Sequence, residues 1–108
     1  MFEDFPMSSE TTPVTPAVLV TIITENAIRD SIIKLIKSKG ATGYTLIEAR
    51  GEGGHGTRMG DIAGYNTNIE IKTIVTPEVS DEIFRALAAN RTSHALTAFR
   101  NNVELLSS

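Results

Sequence analysis

Residues 18–24, Val-Leu-Val-Thr-Ile-Ile-Thr, constrain this chain more than any other stretch, because they are apolar on both alternating faces. A β-strand turns successive side chains to opposite sides, so such a run belongs in the middle of a sheet covered on both faces. From Glu25 to Lys39 the period changes. Ile28, Ile32, Leu35 and Ile36 recur at helical spacing while Arg29, Lys34 and Lys37 fall toward the other side, and Gly40 stops the helix. Residues 43–50 return to an extended pattern, and six glycines between Gly51 and Gly64 then predict a long, mobile loop.

A third strand is expected over residues 68–76, where Ile69 and Ile71 alternate with Glu70 and Lys72. Thr76 is placed to cap a second helix, Pro77 suits its first position, and Val79, Ile83 and Leu87 form an inward stripe that runs to about Asn90. Residues 95–100 read as a fourth strand and residues 103–106 as a short terminal one. Strand, helix, strand, strand, helix, strand is the ferredoxin-like βαββαβ order, an α+β fold with both helices on one sheet face. The other face would then be open and apolar, which calls for self-association.

Composition narrows the function. The 108 residues carry a net charge of −3, so no overall basic field draws nucleic acid to the chain, and no aromatic pair marks an RNA-reading sheet. There is no cysteine for a disulfide framework or a thiolate metal site. His55 and His94 lack the paired spacing of a zinc site, and no serine sits in a nucleophile elbow, so no catalytic residue and no catalytic cofactor is expected. The longest apolar run, residues 17–23, is far below the roughly 20 residues of a membrane-spanning helix. Residues 1–16 carry Glu3 and Asp4 among Pro, Ser and Thr, reading as a flexible tail and not a signal peptide, before one domain over residues 17–108. A cytoplasmic protein is the expectation.

Several short motifs, in order, resemble the PII-like signalling proteins. They are the strand ending Val20-Thr21-Ile22-Ile23-Thr24-Glu25, the helix closing Lys39-Gly40-Ala41, then Gly43-Tyr44-Thr45, the glycine run from Gly51, and Asn68-Ile69 opening the third strand. The match is nearest to the branch associated with bicarbonate transport. The resemblance implies a homotrimer whose sheets face a common centre, with an adenine nucleotide (ATP, ADP, AMP or cyclic AMP) as effector in clefts between subunits. It also implies a long T-loop that docks on a membrane transporter or an enzyme, a bicarbonate transporter for this branch, with bicarbonate itself a further candidate ligand. Recruitment to the membrane would follow from the transporter partner.

The ligand-binding residues so implied are Thr24, Gly43, Thr45, Gly51, Gly53, Gly54, Arg58, Asn68 and Arg100. Gly51 and Gly53 can bring backbone amides close to a phosphate, although glycine is also ordinary loop punctuation. Arg58 matches the second arginine of the branch's Gly-x-Gly-Ser-Arg-x-x-Arg loop and could grip a phosphate with two parallel hydrogen bonds, or simply solvate the loop. Gly54 and His55 replace that motif's serine and first arginine. Thr45 matches a position that reads the adenine edge, but β-branched residues suit strands anyway. Arg100 could reach a neighbour's nucleotide or be surface charge. The phosphate loop Thr-Gly-x-x-Gly-Asp-Gly-Lys of nitrogen-sensing PII proteins is absent. Two other readings remain open: a trimeric interaction module without nucleotide binding, and a metal-binding CutA-like or small-molecule-binding ACT-like protein.

Overall fold

The computed structural model describes residues 13–49, 68–90 and 94–107. Strand β1 spans Val14–Glu25, and a single 3-10 turn, Asn26–Ile28, leads into helix α1, Arg29–Ser38. Strand β2 is Thr45–Ala49, β3 is Asn68–Val75, helix α2 is Pro77–Ala89 and β4 is Leu96–Leu106. The sheet order is β2-β3-β1-β4 and every neighbouring pair is antiparallel. This is the expected ferredoxin-like α+β arrangement, and β1 is indeed interior, with β3 and β4 on its two sides.

The helices cover one face. There Val18, Val20 and Ile22 of β1 and Ile69, Ile71 and Val75 of β3 meet Ile32 and Ile36 of α1 and Ile83 of α2. Five isoleucines, Ile22, Ile36, Ile69, Ile71 and Ile83, are completely buried. Each such side chain contributes about 1.5–3 kcal/mol over its exposed state. The opposite face carries Ile47, Ile74, Phe99 and Leu105, each between 44% and 49% exposed, so the apolar face without a helix is present as the sequence pattern indicated.

The helix ends follow from their residues. At the end of α1, Ala41 N donates to Ile36 O and Gly40 N to Lys37 O, the paired bonds of a Schellman stop, with Gly40 at φ 119°. At the start of α2, Thr76 Oγ1 accepts from Val79 N at 3.2 Å and Pro77 takes the first position, whose amide needs no partner.

Several boundaries differ from the sequence pattern. β1 begins at Val14, so Val14, Thr15 and Pro16, read as tail, are strand residues paired with Leu106, Leu105 and Glu104. Their hydrogen-bond partner is distant in sequence and leaves no local signal. Glu25 is the last strand residue, paired with Asn68, and not the first turn of a helix. The fourth and terminal strands are one continuous β4, because β1 supplies partners through Arg100, Asn101 and Asn102 where a turn would otherwise suit the two asparagines. β2 begins at Thr45, two residues late, since Gly43 and Tyr44 lie before the ladder to β3. Residues 1–12 and the glycine-dense loop lie outside the described residues.

Candidate functional site

The candidate residues fall at three places. The first is the end of the sheet where β1 finishes and β3 and β4 begin. Thr24 is fully buried and its hydroxyl donates to Ala95 O at 2.7 Å; Glu25 follows it and is paired in register with Asn68, itself 6% exposed. Glu25 Oε2 accepts from Ala95 N at 3.0 Å and Oε1 lies 3.3 Å from His94 Nδ1. Thr24, Glu25 and Asn68 therefore share one corner with the two residues that precede β4.

The second place is the β2 edge. Thr73 Oγ1 donates to Gly43 O at 2.6 Å, fixing the approach to β2, and Lys37 Nζ sits 5.8 Å from the centre of the exposed Tyr44 ring. A groove of about 380 Å³ opens here, lined by Leu19, Thr42, Gly43, Tyr44, Thr45, Lys72, Thr73 and Ile74. A Cβ added at Gly43 would meet nothing within 4 Å. Gly43 is thus not demanded by packing; it keeps the groove wall low.

The third place is Arg100 on β4. Its Nη1 donates to Ser80 Oγ and to Asp81 Oδ1, both at 2.8 Å, and the guanidinium lies 4.5 Å from the centre of the Phe84 ring. The side chain is 41% exposed, so its free edge reaches solvent while its inner edge ties β4 to α2. Arg100 pairs with Val20 and belongs to the helix-covered face.

These places do not converge within one chain. Thr45 pairs with Lys72, four residues along β3 from Asn68, which is about 13 Å of strand. Thr45 and Arg100 stand on opposite edge strands with β3 and β1 between them, a span of about 14 Å. Only a second copy, bringing a β4 edge beside a β2 edge, could put both against one ligand. Gly51, Gly53, Gly54 and Arg58 lie outside the described residues. No group of three or more His, Asp or Glu side chains able to hold a metal occurs among the described residues. Nor is any helix among them long and apolar enough to cross a membrane.

This frame can be compared with known proteins. The family model described as nitrogen regulatory protein P-II matches residues 17–104. The chain belongs to that family. P-II proteins are regulatory, so this is a signalling protein and not an enzyme. A PII-like signalling protein of Thermus thermophilus is 33% identical, with 86% of this chain and 91% of that one covered at a TM-score of 0.71. CPII of Thiomonas intermedia, a nitrogen regulatory PII-like protein solved with ADP, AMP and bicarbonate, shares the fold at a TM-score of 0.77 and 22% identity, over 87% and 92% of the two chains. The GlnK–ATP complex of B. subtilis is more distant, with a TM-score of 0.54 and 16% identity over 80% and 82%. No curated protein matches the chain significantly.

The contacts of Glu25 with His94 and Ala95 and of Arg100 with Ser80 and Asp81 were not legible as such. Each joins residues far apart in sequence, 69 and 70 positions for Glu25 and 20 and 19 for Arg100, and no periodicity reports such pairs.

Proposed function

We propose that this P-II protein senses adenine nucleotides as a homotrimer, in clefts between subunits, and passes the signal to a protein target through residues 54–67. What supports the reading is the placement of Thr45 and Arg100 on opposite edges of one sheet: a ligand touching both must lie between copies. Family membership and the apolar face presented by Ile47, Ile74 and Phe99 support assembly of the same kind. In this reading Gly43 and Thr45 receive the base on the β2 side. Gly51, Gly53, Gly54 and Arg58 hold phosphates, Thr24 and Asn68 fix the strand ends that frame the loop, and Arg100 approaches from the neighbour.

The target is a bicarbonate or other inorganic-carbon transporter, as the order of motifs in the bicarbonate-associated branch suggests, and CPII holding ADP, AMP and bicarbonate makes bicarbonate a co-ligand worth testing. The protein then works in the cytoplasm and is recruited to the membrane by that target. Ordering a glycine-dense segment costs conformational entropy that ligand contacts must offset, which is how occupancy would control the loop. Calorimetric titration of the protein with ATP, ADP, AMP and cyclic AMP tests the reading. Saturable heat with at least one is expected, whereas flat traces for all four would leave a trimeric interaction module without a nucleotide. Retention of the protein on membranes that carry the transporter, changing with the bound adenylate, tests the target.

A further inference from the structure

The helices cover one face of the sheet, but not along its whole length. β3 pairs with β1 only as far as Val18 and α2 starts at Pro77, while β1 and β4 run on together, pairing Pro16 with Glu104 and Val14 with Leu106. Side chains two apart on a strand share a face, so Val14, Pro16, Glu104 and Leu106 continue the helix side that Val18 and Val20 begin. There Val14 is 37% and Leu106 72% exposed, and Pro16 and Pro77 are exposed as well. A groove of about 540 Å³ lies at this uncovered end, lined by Pro16, Ala17, Pro77, Asn102, Val103 and Glu104. The alternation that lets Pro13 O accept from Ser107 N turns the backbone of Val14 and Pro16 toward the side that β3 has left, where Pro16 has no amide hydrogen to leave unpaired.

We propose that this groove is the seat of the chain's own N-terminal segment, filled by the side chains of Phe5, Pro6 and Met7. Residues 1–12 lie outside the described residues and join β1 through Pro13, at the same end of the sheet. Their sequence has the two parts that such a return needs. Ser8-Ser9-Glu10-Thr11-Thr12 is polar and suits a turn, and before it stand Phe2, Phe5, Pro6 and Met7, with two of the chain's four phenylalanines. The reach is sufficient. The groove begins at Pro16, about 10 Å of strand from Pro13, whereas the chain from Thr12 back to Phe5 spans up to about 23 Å when extended. Seating Phe5 and Met7 removes apolar surface of both partners from water, and because the segment is tethered beside the groove it meets it at a high effective concentration. The inference does not depend on nucleotide binding.

The chain has no cysteine, so an introduced pair reports only on itself. In the full chain, Met7→Cys with Glu104→Cys is expected to close a disulfide within one molecule. Adding Phe5→Asp, which removes the neighbouring anchor and leaves the sheet unaltered, is expected to slow that closure about 10-fold. Leu105→Cys in place of Glu104→Cys moves the thiol to the other face at nearly the same tether length, and is expected to be slower by a similar factor of about 10. Without any cysteine, Phe5→Asp alone is expected to shift the amide resonances of Ala17, Val103 and Glu104 and to leave that of Glu48, on β2, in place. Closure as fast with Phe5→Asp as without it, or unmoved Ala17 and Val103 resonances, would overturn the proposal. Disulfides that join two chains and fade on dilution would assign the groove to a neighbouring copy, and overturn it equally. Flat adenylate titrations would leave it standing.

Discussion

Gly40 and Gly43 lie three positions apart and differ in what they are for. Gly40 has φ 119°, where a side chain strains the backbone, and its Cβ would come 3.0 Å from Val79 Cγ2. Gly40→Ala is expected to lower stability by about 1–2 kcal/mol, read from the urea midpoint. Gly43 has open space at the same position, so Gly43→Ala is expected to leave the midpoint unchanged and to weaken adenine-nucleotide binding by narrowing the groove, read by calorimetry. A loss of stability without a loss of affinity would make Gly43 a structural glycine. Arg100 combines both kinds of role. Replacing it by Leu leaves the Ser80 hydroxyl, which is fully buried, without its partner, and is expected to cost about 1–2 kcal/mol in the same denaturation series.

At the scale of elements, β1 decides the fold. Ile22 is fully buried beneath both neighbouring strands and the helices, so Ile22→Ala is expected to cost about 2–5 kcal/mol in chemical denaturation, far more than a truncation at half-exposed Ile47 on the open face. The character of β1, the stop at Gly40 and the cap at Thr76 were all legible because each is a local rule: two-residue alternation, positive φ, and a hydroxyl before a proline. The start of β1 at Val14 and the continuity of β4 were not. Pro16, Asn101 and Asn102 have weak strand preference, and their extended state is imposed by pairing with partners more than 80 residues away in sequence. The geometry around the candidate residues was legible in the same uneven way. Thr24, Gly43, Thr45, Asn68 and Arg100 could be named from short motifs, but that Glu25 and His94 meet, or that Arg100 rests on Phe84, depends on the folded sheet.

At the scale of the whole molecule, assembly of the proposed trimer is expected to use the open face. Phe99 stands next to Thr21, and Ile74 next to Leu19, on the side away from the helices, and both are nearly half exposed. Phe99→Asp combined with Ile74→Asp places two charges where apolar surfaces would meet. Light scattering is expected to show a smaller species than the parent, and nucleotide affinity is expected to fall with it, because the β2 and β4 edges no longer come together. A fully assembled variant with unchanged binding would assign assembly to another surface. The long β1–β4 ladder continues past β3, so that Pro13 O accepts from Ser107 N and the Thr15 and Ser107 hydroxyls lie 2.8 Å apart. That knot sits at the pole opposite Glu25 and Asn68, about 36 Å away along twelve strand residues. A fluorophore or tether joined at Ser107 can therefore report on the molecule while leaving the end that carries Glu25 and Asn68 untouched, and a short splice between Pro13 and Ser107 would permit new chain ends to be cut elsewhere.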